Sequence, residues 1–149
     1  MTQSGHWYLP CAKRFFHHLD GFVEYTTNLT CRFSVYHYSA TASEIEDAVG
    51  RKATESVDRG EARPRADSPR YDRTSAYFEI VPKQNIEPAQ AISSCLDVIE
   101  ASSSSVLSTG SVWIIVGLYD VDFVQINLED ELLNRMGQAG VSLALENRG

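Results

Sequence analysis

The chain has 149 residues, 43% of them hydrophobic and 22% charged, with a formal net charge of −7 at pH 7. That is the length of one domain, long enough to bury roughly 70% of its unfolded surface without a disulfide or metal staple. No apolar run approaches the roughly 18 residues of a membrane span, and no apolar stretch follows Lys13 and Arg14, so neither a membrane segment nor a secretory signal is expected.

Residues 1–29 follow no clean period and read as an N-terminal arm, either packed on the domain or mobile. The domain itself is expected over 30–149. Its first strand runs from Thr30 to Tyr38, with Cys31, Phe33 and Val35 on one face and Arg32, Ser34 and Tyr36 on the other. Thr41-Ala-Ser-Glu44 then fits a capping box, in which the threonine hydroxyl accepts from an early backbone N–H. Ile45 and Val49 share one helical face, and Gly50 stands where a left-handed terminal residue is wanted.

Residues 51–73 read as a charged loop broken by Gly60, Pro64 and Pro69. A strand is expected from Thr74 to Val81, closed by Pro82. Pro88 suits the first turn of a helix, where its missing N–H lacks a partner anyway, and Ala89, Ile92, Leu96 and Ile99 continue at helical spacing with Cys95 beside them. Residues 101–105 are expected to form a polar loop. Val112 to Tyr119 is the most apolar run and reads as a central strand. Asp120-Val121-Asp122 is expected to turn tightly into a partner strand from Phe123 to Leu128. A helix over about 129–138 follows, with Leu132, Leu133 and Met136 on its buried side, and the alternation of Val141, Leu143 and Leu145 marks the last strand.

The order β-α-β-α-β-β-α-β predicts an α+β fold. Its form is a two-layer sandwich, a mixed or antiparallel sheet of about five strands with helices on one face.

Two sets of residues resemble an uncharacterised bacterial family known as domain of unknown function 4279, over roughly Thr30 to Asn147. One is the acidic helix Ser43-Glu44-Ile45-Glu46 through Val49-Gly50, followed by Gly60-Glu61. The other is the C-terminal segment from Leu128 to Leu133, then Gly140 and the alternating Val141, Leu143 and Leu145. Ala53 stands where that family often has proline, and Val57 and Tyr77 stand near its tryptophan positions. The resemblance implies a fold and carries no catalytic residue.

Charge is spread unevenly. Residues 51–73 carry seven basic and five acidic side chains, so +2, whereas residues 74–149 carry three basic and ten acidic, so −7. An acidic body opposes nucleic acid and anionic membranes and favours a basic protein partner. Cys11, Cys31 and Cys95 are odd in number and widely spaced, which argues for a reducing, cytoplasmic compartment and against a disulfide framework.

Arg59, Arg63, Arg65, Arg70 and Arg73 crowd the middle loop with Tyr71, and guanidinium forks suit phosphate or carboxylate. Interleaved Asp58, Glu61, Asp67 and Asp72 offer internal ion pairs instead. Asp120, Asp122, Glu129 and Asp130 form a candidate acidic face for a basic partner. His6, His17, His18 and His37 lack the paired spacing of a zinc site, and no cofactor or metal is expected. There is no G-x-S-x-G and no G-x-G-x-x-G.

The first reading is therefore a non-catalytic intracellular protein-binding module, an inhibitor of the immunity type directed at a basic partner. The alternative is a sensor of a small anionic ligand or phosphate built on the 51–73 loop. A second alternative is an enzyme whose site the sequence does not mark. Oligomeric state is not legible.

Overall fold

A computed structural model describes residues 5–8, 26–65, 67–121 and 125–149. The elements are β1 (Gly5–Tyr8), β2 (Thr27–His37), α1 (Ala42–Val49), β3 (Glu55–Val57), β4 (Thr74–Ile86), α2 (Pro88–Ala101), α3 (Ser104–Thr109), β5 (Ser111–Leu118), β6 (Gln125–Leu128), α4 (Asp130–Ala139) and β7 (Val141–Asn147). Five strands form one sheet in the order β3-β4-β2-β5-β7. Every pairing in it is antiparallel except β5 with β7, which is parallel and joined through β6 and α4. The class is α+β, a mixed five-stranded sheet with helices packed on it.

Alternation in β2 decides which face is covered. Leu29, Cys31, Phe33 and Val35 are fully buried and meet Ala76 and Phe78 of β4, Val112, Ile114 and Val116 of β5, and Ile92, Cys95 and Leu96 of α2. The rings of Phe33 and Phe78 stack with centroids 4.9 Å apart. Each such side chain contributes about 1.5–3 kcal/mol on burial. α2 lies over β2, β4 and β5, with α1 on β4, α3 on β5 and α4 on β7. The opposite face carries Arg32, Ser34 and Tyr36 of β2, aligned across the ladder with Glu79, Tyr77 and Ser75 of β4.

Around α1 the threonine half of the expected capping box and the glycine stop both form. Glu44 N–H donates to the Thr41 hydroxyl at 3.2 Å, and Gly50 ends the helix at φ 85, where its N–H reaches the Glu46 carbonyl. A left-handed residue costs glycine nothing there. Pro88 sits in the first turn of α2.

Several expectations need correction. β4 does not stop at Val81 but runs through Pro82 to Ile86. The β2–β4 register shifts between Leu29 and Cys31 and again between Cys31 and Arg32, so the proline falls in an irregular stretch where no regular ladder N–H is demanded. The 51–73 loop contains β3, which pairs with β4 through Glu55↔Tyr77 and Val57↔Ser75. The serine stretch after α2 is not all loop, because α3 begins at Ser104.

β6 does not pair with β5. Both edges of β5 are taken by β2 and β7, and β6 pairs antiparallel with β1 instead. Phe123 and Val124, the start of that predicted strand, lie outside the described residues. Leu133 is 38% exposed and Leu145 41% exposed, because α4 covers the β7 border only in part, and Met136 alone of the predicted trio is buried. β2 also begins at Thr27, ahead of the boundary drawn at residue 30, and Gly5–Tyr8 from the predicted arm is paired with β6.

One buried histidine belongs to the scaffold. His37 Nδ1 accepts from the backbone N–H groups of Ala40 at 2.8 Å and Ser39 at 3.0 Å. That leaves Nε2 to carry the proton and donate to the Thr109 hydroxyl at 2.8 Å. The ring ties the end of β2 to α3. Gly110 is required beside it, since a Cβ there would stand 2.6 Å from the Tyr36 carbonyl oxygen and 3.0 Å from the His37 ring.

Candidate functional site

The face of the sheet opposite the helices ends in a cleft of about 510 Å³ lined by Tyr36, Arg63, Tyr71, Asp72, Arg73, Ser75 and Tyr77. Its floor is made by the strands. Tyr36 pairs with Ser75 across β2 and β4, and Tyr77 sits one step further, opposite Ser34. The two tyrosine rings meet edge to face at 6.2 Å, with their hydroxyl oxygens 3.4 Å apart. Its wall is made by the 51–73 loop. Gly60 N–H donates to the Tyr71 carbonyl at 2.8 Å and Tyr71 N–H to the Glu61 carbonyl at 3.1 Å, which folds the loop back on itself.

The guanidinium groups are held by stacking. Arg73 lies over Tyr36 with its central carbon 4.3 Å from the ring centroid, and Arg63 lies over Tyr71 at 4.7 Å. Arg32 covers Tyr77 at 5.2 Å. A cation over an aromatic face is attracted by the ring quadrupole, and a stacked guanidinium keeps its N–H edges free for an acceptor. Among the described residues, neither Arg63 nor Arg73 forms an ion pair. Asp72 places one carboxylate in the same lining.

Burial pushes the Tyr77 phenol up to about 12, helped by its hydrogen bond to Tyr36. A neutral phenol at physiological pH can donate a hydrogen bond but cannot serve as a base.

Of the loop residues singled out by sequence, the fold brings Arg63, Tyr71 and Arg73 together. The others have different work. Arg59 donates to the Tyr38 carbonyl at 2.7 Å and its backbone N–H to the Thr74 hydroxyl at 3.0 Å, so it anchors the loop to the sheet. Arg70 donates to the Gly60 carbonyl at 2.8 Å, within the loop. Arg65 is paired with Asp67 at 3.7 Å in open solvent.

Sequence reasoning missed Tyr36, Ser75 and Tyr77 as site residues. For the two tyrosines the signal was present, since aromatic side chains on the polar side of an alternating strand have no core to fill.

The acidic candidates stand elsewhere. Asp120 follows β5 in a left-handed conformation at φ 54, with Asn28 Nδ2 3.5 Å from its carboxylate. Glu129 is the N-cap residue of α4 and Asp130 lies in its first turn, where the helix dipole favours negative charge. Asp122 lies outside the described residues. Among the described residues, no group of three histidine, cysteine or carboxylate side chains could hold a metal ion, and no helix is long and apolar enough to cross a membrane.

Comparison with known families, with curated proteins and with solved structures finds no match to this chain. The family resemblance therefore rests on its motif residues alone.

Proposed function

We propose that this protein is a non-catalytic binding domain whose ligand is a small oxyanion, a phosphate or carboxylate compound, held at the cleft by Arg63 and Arg73. The observation that carries this reading is the stacking of each guanidinium on a tyrosine, with no ion-pair partner among the described residues. Two forks held at one cleft can take oxygens of a single anion, and stacking reduces the entropy lost on binding. Tyr77 lines the floor as a neutral phenol at working pH and so sets no negative charge against an anion. The cleft volume is that of small-ligand sites.

The anionic-ligand reading ranks above an inhibitor of a basic protein because its residues converge. Asp120 stands after β5, whereas Glu129 and Asp130 start α4. The net charge of −7 remains the support for a basic partner.

The test is calorimetric titration with inorganic phosphate, pyrophosphate, sulfate and a dicarboxylate, together with the Arg63→Ala and Arg73→Ala variants. Binding of at least one anion is expected, weakened tenfold or more in each variant and unchanged in Arg65→Ala. No heat with any anion, or equal loss in Arg65→Ala, removes the proposal.

A further inference from the structure

The described part of the core holds two thiols that the proposed cleft does not use. Cys31 sits in β2 and Cys95 in α2, both free, both at 0% exposure, with their sulfurs 3.3 Å apart. Two cysteines on separate elements serve equally well as small apolar filler, and filler needs no such contact. Here the sulfurs face each other from 64 residues apart. The ladder beside Cys31 is also irregular, with register shifts on either side of it. Register irregularities of this sort re-aim a side chain.

We propose that Cys31 and Cys95 are a latent cross-link between the sheet and the helix layer, closed by thiol–disulfide exchange with a low-molecular-weight disulfide. The chemistry balances without metal or cofactor. One cysteine, as thiolate, attacks a sulfur of R–S–S–R, so that bond breaks and RS⁻ departs. The other cysteine, as thiolate, attacks the protein sulfur of the mixed disulfide, forming the Cys31–Cys95 bond and expelling the second RS⁻. The two cysteines lose two electrons, the external disulfide gains them, and the two cysteine protons end on the two RSH products.

Access sets the timing. The thiolate is the nucleophile, and contact with the Cys31 thiol together with burial holds the Cys95 thiol far above its ordinary range. The closed fold therefore keeps the pair reduced. Exchange proceeds when α2 lifts from β2, and reclosing returns the sulfurs to contact. The bridge then encloses α1, β3, β4 and the whole 51–73 loop, and so every residue that lines the cleft. Its formation does not depend on what the cleft binds.

The test uses the full chain carrying Cys11→Ser, so that only this pair can react. It is incubated with oxidised glutathione at a series of sub-denaturing urea concentrations, quenched in acid, and read by intact mass, peptide mapping and melting without reductant. We expect loss of two hydrogens with no retained glutathione, and one linked peptide pair containing Cys31 and Cys95. The rate should rise with urea, and Tm should rise on the order of 10 °C, reversed by dithiothreitol. Persistent glutathione adducts, links between chains, a linked form that melts lower, or thiols that stay unreacted throughout would each overturn the proposal. If the Cys11→Ser variant does not fold, the same peptide mapping on the unaltered chain follows the Cys11 peptide separately and distinguishes the same outcomes.

Discussion

The two faces of the five-stranded sheet are built from the same strands and obey different rules. Under the helices, Phe33, Val35, Phe78, Ile114 and Val116 are all at or near zero exposure and pack in one apolar cluster. On the other side, one residue along each strand, Arg32, Tyr36 and Tyr77 are ordered by rings and guanidinium groups stacked on one another. Burial of area stabilises the first face, and it tolerates no polar atom without a partner. Directional pair contacts order the second, each contributing little, which leaves its side chains available to a ligand. A single alternating strand thus separates an apolar face from one of polar and aromatic contacts by one residue of register.

Removing a ring from the covered face and a single hydroxyl from the other puts the contrast under the heaviest strain. Phe33→Ala should destabilise the protein by about 3–5 kcal/mol, because the transfer term is lost and a cavity remains beside Phe78. Tyr36→Phe should cost only about 0.5–1 kcal/mol, the worth of one hydrogen bond to Tyr77. Urea unfolding of both variants measures the ratio. Equal losses would mean that the outer face belongs to the core.

Gly110 tests the seam where the faces meet. Its missing side chain leaves room for the Tyr36 carbonyl and the His37 ring at once. Gly110→Ala should cost about 1–3 kcal/mol by overpacking, since backbone on one side cannot retreat far. A neutral result would show that β5 can shift away from β2.

The face under the helices was largely legible in the sequence and the opposite one was not, for a physical reason. Apolar alternation over Cys31, Phe33 and Val35, the Thr41–Glu44 cap, Gly50 and Pro88 are local signals, and each specifies its own element. The α+β class follows from their order. What the chain hides is pairing. Two four-residue strands some 120 positions apart, Gly5–Tyr8 and Gln125–Leu128, find each other without any local mark. Pro82 read as a terminator because a proline cannot donate to a ladder, yet an irregular register lets β4 continue past it. Leu133 read as core because helical spacing says which side faces inward and not how far the layer beneath extends.

The site divides the same way. Arg63, Tyr71 and Arg73 stood out as a cluster, but their partners Tyr36 and Tyr77 come from two strands whose register had to be known first.

The face opposite the helices also carries a titration of its own. Burial first, then the bond to Tyr36, lifts the Tyr77 phenol from 10.0 to about 12. A folded value above the unfolded one means that the protonated form is favoured by folding. That stabilisation is complete below the ordinary value and is lost as pH rises through the folded one. The difference in phenolate absorbance between the protein and its Tyr77→Phe variant should therefore show one group ionising near 12. In a Tyr36→Phe background the same difference should move toward 10, as the hydrogen bond disappears. A Tyr77 midpoint near 10 in the unaltered protein would mean the cleft floor is wet and open.

The weakest contrast lies on the outer side of the helix layer. Arg135 of α4 reaches Glu100 at 2.7 Å, Asp97 at 2.8 Å and the Ser93 hydroxyl at 2.9 Å, tying α4 to α2. It belongs to the covered half of the molecule, yet it is built like the open half, from directional contacts in water. The Arg135 hydrogen bond holds the Glu100 carboxyl below its ordinary 4.5. A depressed folded value means that the contribution is present above the unfolded value and fades as pH falls through the folded one. Because the Glu100 side chain is 43% exposed, solvent screens most of that interaction. Arg135→Ala should lower stability by at most about 1 kcal/mol at about pH 7, and the gap between variant and parent should narrow in urea melts at about pH 3. A gap that holds constant over that whole range would assign the effect to packing of the arginine stem, and solvent would no longer be what divides the two kinds of contact.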